Sequence, residues 1–165
     1  MILRLSLDLP EDAAYIRTTR NLGRCLLEDL KVTESTILDV ENIVGELCSN
    51  VIRHAQSKAM HFLVTLEYYK PKVVITVKDN GLGFVMDDML PVGALRSDGN
   101  GGERLGGYGM ILLEGLSDRL DFTETDPHGT TVRVEKNLRY ESQGDADAAT
   151  RRDTGHAGFA TVSLE

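Results

Sequence analysis

The chain has 165 residues, of which 41% are apolar and 27% charged, and its formal net charge is −8. That length supports one domain with its own hydrophobic core, without disulfide or metal staples. The acidic balance argues against a general nucleic-acid binder, whose affinity comes from clustered Lys and Arg.

The N-terminal "ILRLSLD" alternates Leu3, Leu5 and Leu7 with Arg4, Ser6 and Asp8, which predicts a strand with one buried face. Its alternation and charge are unlike a signal peptide. Pro10, Glu11 and Asp12 suit a helix start, because Pro fits the first turn and acids favour the positive end of the helix dipole. The helix is expected over 13–30, burying Ile16, Gly23, Leu26, Leu27 and Leu30.

Thr33 can cap a second helix, "ESTILDVENIVGELCSNVIRHAQ", with an apolar stripe of Val40, Ile43, Val44, Leu47 and Val51. "HFLVTLEYY" and "KVVITVKD" follow as a hairpin turned at Lys70-Pro71. A Gly-rich, weakly patterned loop runs from about Met86 to Gly106, and unstructured loops of this length are often lids. "YGMILLEGLSDRL" reads as a short helix, and "RLDFTET" and "TTVRVEK" as two strands joined by "DPHG".

This order predicts an α+β fold: a two-layer α/β sandwich with a mixed, mostly antiparallel sheet and helices on one face. The domain is expected to span 1–138. Residues 139–165 are small, polar and charged, which predicts a flexible tail, although the final "FATVSLE" has strand character. Cys25 and Cys48 lie far apart in helical patterns and read as two buried free thiols in a reducing compartment, so the protein is expected to be cytoplasmic. No apolar run approaches a membrane span.

"VKDNGLGF", Val77 to Phe84, resembles a nucleotide loop but fits neither common template. Met86 stands where a dinucleotide fingerprint needs its third Gly, and the chain has no Gly-Lys-Ser/Thr. Asp79 can be a turn-former with Asn80 and Gly81. Alternatively its carboxylate reads the exocyclic amino group of adenine, and would repel the carbonyl that guanine presents there. Gly81 and Gly83 then admit close backbone approach. On the second helix Glu46 and Asn50 share a face that Arg53 and His54 continue. This stripe is either solvated or a site at the rim of the core. In the second case the carboxylate is a general base and the amide oxygen a Mg²⁺ ligand. "GGYGM", Gly106 to Met110, opens a helix whose first N–H groups can hold phosphate without Lys. Gly129-Thr130 is a plain hairpin turn or closes the set.

Four motifs in one order resemble the GHKL ATPase superfamily. "ELCSNVIRHA" is similar to its N box, "DNGLGF" to G1, "GYGM" to G2 and "GTT" to G3. The short chain with an N-terminal strand and helix resembles, over residues 1–138, the anti-sigma factor serine/threonine kinases of the RsbW and SpoIIAB type. The resemblance implies the Bergerat ATP-binding fold, a histidine kinase-like ATPase domain. It implies ATP and Mg²⁺, with Glu46 as catalytic base and Asn50 as Mg²⁺ ligand. It assigns adenine reading to Asp79, the G1 glycines to Gly81 and Gly83, and the phosphate end to Gly107, Tyr108 and Gly109. Thr130 would support the adenine pocket.

The same resemblance implies a STAS-domain anti-sigma factor antagonist as phosphoacceptor, and a sigma factor or other regulator held inactive. Partner contacts would come from the first helix, where Arg17, Arg20 and Arg24 share a face that is otherwise simply solvated. The family often dimerises, but no dimer signature is evident in the sequence. The alternative is a stand-alone histidine kinase-like ATP-binding regulator without serine kinase activity. A complete histidine kinase is not expected, because only about 30 residues precede the N-box helix. The Gly-rich lid and the tail depart from the family pattern.

Overall fold

A computed structural model describes residues 1–54, 61–80, 95–97, 103–105, 108–124 and 129–141. In chain order these form β1 (Leu3–Pro10), α1 (Ala14–Asp29), α2 (Glu34–His54), β2 (His61–Tyr68) and β3 (Lys72–Asp79). Then come β4 (Leu95–Ser97), β5 (Glu103–Leu105), α3 (Tyr108–Leu116), β6 (Arg119–Glu124) and β7 (Thr130–Asn137). The main sheet has the order β1-β2-β3-β7-β6. Every pairing in it is antiparallel.

Strand alternation sets the two faces. Phe62, Val64, Leu66 and Tyr68 of β2 pair with β1 and β3 residues of the same parity, so one sheet face is apolar. That face packs on Leu27 of α1, on the α2 stripe and on Leu113 of α3 in one cluster. All five expected α2 stripe residues are buried. Full burial of each such side chain is worth about 1.5–3 kcal/mol. The opposite face carries ion pairs within and between strands. Lys72 reaches Glu135 at 2.5 Å and Arg133 reaches the same carboxylate at 2.6 Å.

Several boundaries differ from the sequence reading. Pro10 ends β1 instead of opening α1. On an edge strand its missing N–H costs no ladder bond. The α1 helix starts later, with Asp12 Oδ1 accepting the Ala14 N–H at 2.8 Å and no acid in its first turn. Within α1, Thr19, Gly23 and Leu27 are buried, whereas Ile16, Leu26 and Leu30 are only partly so. Cys48 is buried as expected, but Cys25 is exposed because it falls off the Gly23–Leu27 stripe. The expected loop contains a small hairpin, β4 with β5. Its strands are too short to show alternation in the sequence.

Two devices orient α2. Leu27 and Glu28 carbonyls accept the N–H groups of Val32 and Lys31, at 3.0 and 2.9 Å, which closes α1. Lys31 takes φ 59° to do so. Thr33 N–H then bonds the Arg139 carbonyl at 2.8 Å, and Val32 bridges Tyr140. The start of α2 is thereby fixed at the β7 C-terminal end of the sheet, and its last turns reach the Asp79 end. Arg24 clamps the helix pair, bonding Glu41 at 2.6 Å and Glu34 at 3.0 Å. Among the described residues no helix is long and apolar enough to cross a membrane.

Candidate active site

The α3 helix runs antiparallel to α2. At its C-terminal end, Lys136 Nζ donates to the Leu116 carbonyl at 2.7 Å and pairs with Asp39 of α2 at 2.7 Å. At its N-terminal end, Gly109 lies against the Glu46 carboxylate so closely that a Cβ there would collide with it. Glycine at 109 permits this approach without moving the Glu46 side chain. The head of α3, with the unpaired N–H groups of a helix start, therefore stands beside Glu46.

Asn50 follows Glu46 by one helical turn, and Arg53 joins them. Arg53 Nη2 donates to Glu46 Oε1 at 3.0 Å and to Asn50 Oδ1 at 3.2 Å. The Arg53 Nε–H bonds the Ser49 carbonyl at 3.1 Å. Sequence reasoning placed Arg53 on the stripe but gave it no contact, because the pairing depends on rotamers. Cys48, on the buried side of the same turn, is pushed up to about 12 by desolvation and stays a thiol.

At the same end of the sheet, β3 finishes at Asp79 and β7 starts at Thr130. Both are buried, each 6% exposed, and both have partners within the fold. Thr130 follows the Lys78–Thr131 pair and so stands beside Asp79. Asp79 shares parity with Val77 and Ile75, which puts it on the apolar, helix-facing side. Gly129, at φ 122°, backs onto the Asp79 carbonyl where a Cβ would clash with main chain. This glycine is a fixed spacer between the two strands. Its place in the hairpin turn is the signal that could have found it.

The structure thus brings Glu46, Asn50, Asp79, Gly109 and Thr130 to one end of the sandwich. Gly81, Gly83 and Gly107, the side chains of Tyr108 and His54, most of the lid and residues 142–165 lie outside the described residues. Arg17 is exposed, Arg20 is half-buried over Gly45 of α2, and Arg24 is held in the clamp. Among the described residues no three His, Cys, Asp or Glu side chains form a metal-binding group. A cation held by few of the described side chains would complete its shell with water or phosphate oxygens. The set fits a magnesium nucleotide: a buried acceptor at the sheet's end, helix-start donors, and a carboxylate with an amide one turn apart.

Comparison with known proteins agrees. The profile described as the histidine kinase-like ATPase domain matches residues 9–136. The chain is 24% identical over 139 residues to the serine-protein kinase RsbW of Halalkalibacterium halodurans, covering 82% of this chain and 83% of that one. It is 30% identical over 115 residues to the anti-sigma F factor of Pasteuria penetrans, covering 67% of this chain and 74% of that one.

Two solved structures share the fold. One holds the RsbU and RsbW domains of a Mycobacterium tuberculosis protein, with TM-score 0.60, 18% identity, and coverage of 85% of this chain and 35% of that one. This chain spans about a third of that protein's length. The other is the SiaB–SiaC complex of Pseudomonas aeruginosa, with TM-score 0.59, 15% identity, and coverage of 79% and 88%. Motif order, site geometry and these matches agree: the chain belongs to the histidine kinase-like ATPase family, and within it to the anti-sigma factor serine kinases of the RsbW type.

Proposed function

We propose that this protein uses ATP and Mg²⁺ to phosphorylate a serine of a STAS-domain antagonist, and that it holds a sigma factor or comparable regulator inactive. ATP binding follows from the family. The observation that carries the catalytic reading is the seat of Glu46 against Gly109 at the head of α3. It puts a carboxylate beside the main-chain donors suited to phosphate.

Asp79 accepts the hydrogen bond of the adenine amino group, with Thr130 beside it. The first N–H groups of α3 hold phosphate oxygens. Asn50 supplies one ligand to Mg²⁺, which needs few protein ligands when phosphates provide the rest. Magnesium nucleotide supplies the γ-phosphoryl group. Glu46 takes the proton of the acceptor serine as its oxygen bonds to phosphorus and the bond to the ADP oxygen breaks. Positioning and electrostatics provide most of the acceleration in this chemistry. The phosphate then acts as a charge switch on antagonist docking.

The test is incubation with labelled ATP and candidate STAS proteins from the same genome. Acid-stable phosphoserine is expected. Acid-labile phosphohistidine, or nucleotide binding without transfer to any candidate, would overturn the serine kinase reading. Glu46→Gln should cut transfer by about 10²- to 10⁴-fold while nucleotide still binds. Asp79→Asn should weaken nucleotide binding itself by about ten- to a hundredfold, the worth of a charged hydrogen bond. Normal binding by Asp79→Asn would refute the adenine assignment.

A further inference from the structure

Arg53 is placed where it touches both groups of the proposed chemistry. A single guanidinium nitrogen, Nη2, donates to Glu46 Oε1 and to Asn50 Oδ1. These are a base oxygen and the proposed metal-ligand oxygen. The guanidinium is steadied by its own helix, through Nε–H to the Ser49 carbonyl. We infer that Arg53 and the divalent cation are alternative occupants of the space beside Glu46 and Asn50, so that metal arrival and release of Glu46 are a single event. This inference rests on the nucleotide-site reading proposed above.

Mg²⁺ binds a ligand oxygen at about 2.0–2.1 Å in near-octahedral geometry. With Arg53 Nη2 3.2 Å from the same Asn50 oxygen, the two cations would lie within a few ångströms of each other. Like charges at that range repel, and even at a half-exposed guanidinium a dication outweighs the weak ion pair that holds Arg53. The guanidinium must therefore leave Asn50, and with it Glu46, when the metal binds.

Departure is feasible. The Arg53 side chain is 53% exposed and that of Glu46 20%, and an ion pair of this kind is weak. Arg53 has a stem long enough to swing into solvent. Before the exchange, Arg53 holds the Glu46 carboxylate as an acceptor already in use. After it, that lone pair is available to a serine hydroxyl. Arg53 is a positioning residue in this scheme: it acts on the reaction through Glu46 and Asn50.

The test measures binding rather than turnover. A fluorescent, non-hydrolysable ATP analogue is titrated at a series of Mg²⁺ concentrations and in EDTA, with the wild type, Arg53→Met and Arg53→Lys. Removing the competing cation should lower the half-saturating Mg²⁺ by about three- to tenfold in Arg53→Met. Arg53→Lys keeps a charge and should stay close to wild type. Two outcomes overturn the exchange alone: an unchanged Mg²⁺ dependence in Arg53→Met, or affinity that falls equally with Mg²⁺ and EDTA. The second would make Arg53 a phosphate contact. Wild-type binding that ignores Mg²⁺ would instead remove the metal role of Asn50, and the exchange with it. Thermal melts of the three proteins confirm that each is folded.

Discussion

Gly109 has opposing effects on stability and on chemistry. Alanine there would gain up to about 1 kcal/mol of helix propensity over glycine. Its Cβ would also land on the Glu46 carboxylate. The atoms it meets belong to a flexible side chain, so Glu46 can swing aside at little energetic cost. Gly109→Ala should therefore melt within about 1 kcal/mol of wild type. Phosphotransfer should fall by about a hundredfold if Glu46 is the general base proposed above, because it is displaced. Thermal melts with a single-turnover assay separate the two effects. A variant that kept full transfer would show that Glu46 does not act from this position. The candidacy of Glu46, Asn50 and Asp79 was legible from four family-like motifs in one order, and the structure gathers the three at one end of the sandwich. The Arg53 bridge and the Gly109 contact were not, because they depend on how α2, α3 and rotamers meet.

Among the elements, the turn from α1 to α2 holds an avoidable strain. Lys31 adopts φ 59° with the two hydrogen bonds that close the helix, and buried Val32 packs at the end. This is a Schellman closure with a side chain where glycine is usual. The left-handed conformation costs a non-glycine residue about 1–2 kcal/mol, while glycine adds unfolded-state entropy of about 0.4–1 kcal/mol. The first effect is larger, so Lys31→Gly should raise stability by about 0.5–1 kcal/mol in denaturant titration. A loss of stability would mean that the Lys31 side chain contributes contacts of its own. The sequence located this turn, between a helix ending near Leu30 and a cap at Thr33, but not its left-handed geometry, since Lys gives no signal for it. In contrast, the α2 stripe and the β2–β3 hairpin were plain from periodicity. Helix α1 was legible in extent and in its core-facing side, except for Thr19, which is buried with its hydroxyl on the Tyr15 carbonyl at 2.9 Å.

The whole molecule should be acid-labile for an identifiable reason. Arg24 holds the Glu41 carboxyl below its ordinary value of 4.5 through a direct hydrogen bond. Lys72, and next Arg133, do the same for Glu135. A carboxyl depressed in the folded state contributes stability that is complete above its unfolded value and is lost as pH falls through its folded value. Glu41→Gln should thus be less stable than wild type at neutral pH. The gap should narrow as pH drops below 4.5. Urea titrations across that range measure it, and a gap independent of pH would show that Glu41 is not ionised in the pair. Charge composition alone could not locate this weakness, because the Arg24–Glu41 partners are 17 residues apart.

The Lys136 anchor gives α3 the mechanics of a lever. Its far end is pinned to α2 and β7, while its near end approaches Glu46 closely and packs Met110 against the core. With a rise of about 1.5 Å per residue, the arm from Leu116 to Gly109 is roughly 10 Å long. A tilt of about 10° would move its tip by roughly 2 Å. A shift of Gly109 would therefore change the room open to the Glu46 carboxylate. The Lys136 anchor sits at the opposite end of the helix from that contact.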